Sequence, residues 1–174
     1  ASLPADYLTW DVLVLNTHSR AMGAAQARQA VAAILQRLDL KRFGLIYKKI
    51  DSTFRGNIGG EVDAILEMSG LAVGFLTPAF PEMDRTVKGG ILMVKGNPVA
   101  ETEASRDPAC PVNDSNLVNL LRRQSSGGID LVDHRRLSSA PGSLRQAVYR
   151  KRQAGTKILI FDALKRQDLE SIAE

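Results

Sequence analysis

A single cysteine, Cys110, is all that this chain of 174 residues offers to thiol chemistry. One thiol cannot close an internal disulfide and cannot build a cysteine-based zinc site. Cys110 lies between Ala109 and Pro111 with no partner base near it in sequence, so a nucleophilic role has no support. Aromatic residues make up only 5% of the chain, too few for the stacking platforms that hold single-stranded nucleic acid. No apolar run approaches the roughly 20 residues that span a bilayer, and the opening ASLPADYLTW has no basic segment leading into an apolar one. Four familiar signatures are missing: GxxxxGK[ST], GxGxxG, HExxH and GxSxG. A nucleotide loop, a dinucleotide turn, a zincin helix and a nucleophile elbow are therefore disfavoured. The expectation is a cytoplasmic protein with no membrane and no nucleic-acid partner.

What is present is an ordinary globular composition, 44% hydrophobic and 24% charged, long enough for one domain with a substantial core. The net charge of +4 favours small anions in a general way. Its cations are scattered, and the short clusters Arg135-Arg136 and Arg150-Lys151-Arg152 read as solvated surface.

Apolar periodicity gives the element order. Residues 12–17 (VLVLNT) have the length and continuity of a strand buried on both faces, and residues 43–47, 71–77 (LAVGFLT), 129–132 and 157–161 (KILIF) also read as strands. Residues 24–38, 57–68, 115–123, 143–154 and 165–173 carry helical spacing. Asp114 or Ser115 is placed to cap the third helix and Ser143 the fourth. Residues 87–100 break the alternation and read as a small β-hairpin. Alternating strand and helix predict an α/β fold: a doubly wound, mostly parallel sheet with flanking helices and a hairpin insertion.

The polar residues gather where those strands end. Thr17, His18, Ser19 and Arg20 follow the first strand, KKIDSTFRGNIGG (48–60) follows the second, residues 78–86 the third, and Asp162 the last. That edge is where open α/β sheets bind ligands. Strand, polar loop and Gly-rich helix start is also a common cradle for a small anion. Arg20 and Arg55 suit a carboxylate or phosphate by bidentate pairing. Asp51 has three roles open to it: orienting an arginine, accepting a sugar hydroxyl, or acting as a base. Blander readings stay open beside these. Ser52 or Thr53 could be helix caps, Asp51 could pair with Lys48 or Lys49, and Arg20 and Arg85 could be surface cations. His18 and His134 read as loop and surface residues, and Glu101, Glu103 and Asp107 as a solvated acidic loop rather than a metal site.

The segment KKIDSTFRGNIGGEVDAIL closely resembles the KKIDSTLRG-type signature of the four-carbon acid sugar kinases. NTHSR (16–20), TPAFPEMDRT (77–86), ETEASRDP (101–108) and FDALKRQDL (161–169) match that family in order, so the resemblance covers nearly the whole chain. It implies a two-domain kinase that transfers the γ-phosphoryl of ATP to the terminal hydroxyl of threonate, erythronate or a 3-oxo-tetronate. The chain would be its N-terminal substrate-binding domain, over residues 1–174. The family's opening strand with an Asp-Asp-Leu-Thr-Gly-Ala motif, and its C-terminal ATP-binding domain, are not in this sequence. A start at Ala1 and an end inside a helical pattern fit such a fragment, which alone would be inactive. ATP and Mg2+ would then bind mainly outside this chain, and a homo-oligomer stays open. Carried over by position, Arg20, Lys49, Asp51, Ser52 and Arg55 line the sugar-acid pocket. Arg20 or Arg55 would grip the carboxylate, while Asp51 and Ser52 bond hydroxyls and Lys49 balances charge near the phosphoryl group. No catalytic residue is assigned. Phe54 stands where the signature has Leu, a change expected to be tolerated. Two other classes remain: a non-catalytic sugar-acid or anion-binding module, and an interaction domain with a borrowed α/β fold.

Overall fold

A computed structural model describes residues 4, 6–137 and 142–173. Its centre is a parallel three-stranded sheet ordered β1 (Gly74–Leu76), β6 (Thr156–Phe161), β5 (Gly128–Val132). The middle strand explains itself: Ile158, Leu159 and Ile160 are fully buried, as a strand covered on both faces must be. Alternation then splits the core. Ile158 and Ile160 pack with Leu76, Ile58, Leu66 and Phe54 on one face. Leu159 and Phe161 pack with Val132, Leu144, Val148 and Ile172 on the other. The flanking helices are α1 (Ala24–Leu35), α2 (Ile58–Ser69), α3 (Leu117–Arg122), the single turn α4 (His134–Leu137), α5 (Ser143–Gln153) and α6 (Arg166–Ala173). No helix among the described residues is long and apolar enough to cross a membrane.

The predicted hairpin has three strands. It is a second, antiparallel sheet of β2 (Arg85–Lys88), β3 (Ile91–Val94) and β4 (Asn97–Pro98), with Val87 opposite Leu92. Its attachment to the main sheet uses Asp162, which the sequence placed at the ligand edge. The structure buries Asp162 completely and makes it an anchor. Its carboxylate accepts hydrogen bonds from the backbone N–H of Gly89 (2.7 Å), Gly90 (2.9 Å) and His134 (3.3 Å). Val87 and Ala163 exchange backbone hydrogen bonds beside it.

Two predicted strands do not form. Residues 12–17 and 43–47 run without regular secondary structure and carry no sheet pairing among the described residues. Val14 is 84% exposed and Tyr47 80%. A strand is completed only by a neighbour's N–H and C=O groups, so the apolar pattern here outruns the partners present. Two caps also differ. Asn116 caps α3, accepting from the N–H of Asn119 at 3.1 Å, and α5 starts after Gly142 with no side-chain cap from Ser143. Pro141, predicted to lead into α5, lies outside the described residues.

Replacing Asp162 by alanine strips three backbone donors of their acceptor at a buried point. Asp162→Ala should cost about 3 kcal/mol or more in urea unfolding.

Candidate functional site

The loop between residues 47 and 58 is built around one buried ring. Phe54 is 2% exposed and enters the core beside Ile58. It reaches that position at φ +65°, a left-handed backbone conformation that costs a non-glycine residue energy. The Phe54 N–H closes the turn onto the Asp51 carbonyl at 2.9 Å. With Phe54 turned inward, its neighbours Asp51 and Arg55 bond to each other in a polar network. A phenylalanine at the signature's leucine position is thus a core residue.

Asp51 is the hub of that network. It accepts from the Thr53 backbone (2.9 Å) and hydroxyl (2.5 Å), and from Arg55 through Nη2 at 2.9 Å. Arg20 Nη2, from a separate segment of the chain, reaches the same carboxylate at 3.2 Å. The Asp51 side chain is 8% exposed and that of Arg20 54%, so the pair has a buried half and an open half. Arg55 is more committed: its Nη1 also donates to Asp107 at 2.8 Å, and Asp107 accepts from the N–H of Ala109 and Cys110. The result is a chain of alternating charge, Arg20–Asp51–Arg55–Asp107, that draws the 101–113 loop onto the site.

The charges set the protonation. Burial pushes the Asp51 carboxyl up, but hydrogen bonds from Arg55 and Thr53, with the Arg55 charge, outweigh it and bring it down to about 2. The bonds to Asp51 and Asp107 push Arg55 up. The Cys110 N–H, then Arg55 and the Ala109 N–H, hold Asp107 below the usual carboxylate range. A carboxyl held as low as Asp51 is a poor proton acceptor at neutral pH. Of the three roles open to it, orienting the two arginines fits best.

Beside the network lies a cleft of about 190 Å³ lined by Arg20, Asn57, Gly56, Phe54, Cys110 and Gln124, among others. Gly56 lets the Arg20 segment come this close. Its φ is +98°, and a Cβ there would meet the Arg20 backbone at 3.3 Å. Gln124 closes one wall, donating from Nε2 to the Gly56 carbonyl (3.0 Å) and accepting the Gly59 N–H (2.9 Å). That second bond uses one of the free donors at the start of α2, so the cationic character of the cleft rests on Arg20 more than on the helix end. A larger groove of about 300 Å³ between β1, β6, α5 and α6 is mainly apolar and holds none of these residues.

The structure brings Arg20, Asp51 and Arg55 together. Lys49 is exposed and Ser52 half-buried, and neither bonds into the network among the described residues. Lys48 pairs with Glu61, not with Asp51. Neither Ser52 nor Thr53 caps α2; the Thr53 hydroxyl is spent on Asp51. His18 is exposed on an irregular stretch of backbone, at φ +50°. Among the described residues no group of three or more His, Cys, Asp or Glu side chains could hold a metal ion. Sequence reasoning missed Asn57, Glu61 and Gln124. Glu61 alone left a signal, a charge in the otherwise apolar first turn of a helix.

Residues 4–174 match the family described as "Sugar-binding N-terminal domain". The chain belongs to this family. It is 39% identical to a D-threonate kinase of Salmonella typhimurium over 94% of its length and 38% of that protein. It is 32% identical to a D-erythronate kinase of Heliobacterium modesticaldum, covering 98% of this chain and 40% of that one. A Bordetella bronchiseptica protein solved as a domain-swapped dimer with bound citrate superposes with a TM-score of 0.80 at 32% identity, over 98% of this chain and 40% of that one. The chain therefore spans about two-fifths of the length of the relatives it matches.

With Asp51 lowered from 3.8 to about 2, its stabilisation is complete above about pH 4 and is lost as pH falls towards 2. Asp51→Asn should unfold more readily than the native chain at pH 7, and the two should converge by about pH 2. Urea titrations across that range check this.

Proposed function

We propose that this chain is the substrate-binding domain of an ATP-dependent kinase that phosphorylates the terminal hydroxyl of a four-carbon sugar acid: threonate, erythronate or a 3-oxo-tetronate. One observation carries the reading. An exposed arginine, Arg20, is aimed by a buried carboxylate and lines a cleft of a size that suits a small acid. Arg20 has donors to spare for a ligand carboxylate, whereas Arg55 is already shared between Asp51 and Asp107. Arg20 therefore grips the acid and Arg55 braces Asp51. Lys49 and Ser52, which have no partner among the described residues, are left to the phosphoryl side and to a substrate hydroxyl. The kinase relatives and the citrate held by the Bordetella protein, itself a hydroxylated carboxylate, support the same ligand class.

Phosphoryl transfer asks the protein for positioning and cations more than for covalent chemistry. This domain would supply the first. ATP and Mg2+ would be held mainly by a further domain of the parent protein. The apolar runs at 12–17 and 43–47 and the outer edge of β1, all without a strand partner among the described residues, support a further strand completing the sheet.

Thermal denaturation with D-threonate and D-erythronate tests the reading. At least one acid in large excess over its Kd should raise the melting temperature by a few degrees. Arg20→Ala should weaken binding by about tenfold or more. If none of the four-carbon acids binds, or if Arg20→Ala binds them like the native chain, the reading is wrong. Binding without phosphorylation by the full-length protein and ATP would favour a non-catalytic acid-binding module.

A further inference from the structure

We propose that Glu61 is a positioning residue for this site, holding from the first turn of α2 both polar segments that carry the ligand groups. The inference rests on the reading that the cleft beside Arg20 takes a sugar acid. Glu61 is 5% exposed, and its two oxygens face two different parts of the chain. Oε1 accepts from the Ser19 hydroxyl at 2.5 Å, across 42 residues of sequence. Oε2 takes the Lys48 ammonium. Ser19 is itself buried and lies 2.7 Å from the Thr17 hydroxyl. Since the Ser19 proton goes to Glu61, Thr17 donates to Ser19, which extends the anchor back along the segment. Asn57 completes it, its amide donating to the carbonyls of Ser19 (3.2 Å) and Met22 (2.8 Å).

Those two segments need such an anchor. Residues 12–20 and 43–50 have no sheet ladder among the described residues, so backbone pairing does not fix their register. Yet Arg20 follows Ser19 directly, and Asp51 lies three residues after Lys48. The 3.2 Å approach of Arg20 to Asp51 therefore depends on where Ser19 and Lys48 are held. Burying a carboxylate is costly, and an apolar side chain would fill the same space at less cost. What the carboxylate adds is direction, one oxygen for each segment. Glu61 itself acts only through Ser19 and Lys48.

The test uses the full-length protein with D-threonate and D-erythronate as probes. Glu61→Gln keeps the shape but loses one acceptor and the charge. It should raise the KM for the acid by about tenfold while leaving the KM for ATP unchanged, and amides of residues 17–20 should exchange faster. Arg166→Ala, which cuts the exposed Arg166–Glu170 pair, serves as the control and should leave the acid KM alone. If Glu61→Gln keeps the native acid KM while Arg20→Ala raises it, the positioning role is overturned and the site stands. If Arg20→Ala also has no effect, the site reading falls and takes this inference with it. Should Glu61→Gln not fold, Ser19→Ala removes one arm only and is read by the same two outcomes.

Discussion

One carboxylate organises the polar half of this protein. Asp51 is nearly buried, and two arginines from different parts of the chain meet on it. A buried charge of that kind is tolerable only when its oxygens are fully engaged, and here Thr53 and Arg55 engage them locally while Arg20 arrives from a separate segment. The arrangement leaves a cation half in solvent with its direction already fixed. A pre-aimed guanidinium loses less freedom when an anion arrives. Asp107 extends the same alternation of charge outward, and with it the 101–113 loop becomes a wall of the cleft rather than a free acidic loop.

Beneath that network lies a trade between strain and burial. Phe54 adopts an unfavourable backbone angle, which the burial of a whole aromatic ring offsets. The turn it closes gives the loop its two faces. On the core side the loop is continuous with Ile58 and the main sheet; on the other side it carries the charges. Asp162 does a related job elsewhere, joining the small antiparallel sheet to the end of β6 through backbone donors.

Much of this was legible in the order of residues. Apolar continuity in KILIF marked the central strand, and helical spacing marked α1, α2, α5 and α6 within a few residues. The signature around residues 48–56 marked the loop that proves to be the polar hub. The pattern erred where it relied on partners it could not see. VLVLNT has every local property of a buried strand, but pairing is a property of two segments. Asp162 looked like a ligand group because it ends a strand, and only the fold reveals three backbone donors waiting for it. The cap of α3 moved by one residue or two because Asp114, Ser115 and Asn116 are all competent caps.

The sequence by itself determined the class of fold, the family and the loop where charge would collect, because periodicity and local motif are short-range and written along the chain. Tertiary structure alone decided which charges meet. Arg20 and Asp51 are 31 positions apart, and Ser19 and Glu61 are 42 apart. Nothing in local spacing says that the first arginine opens to solvent while the second is spent on two carboxylates. That division of labour comes from burial and from the direction in which each backbone enters the cleft, and both exist only once the chain has folded.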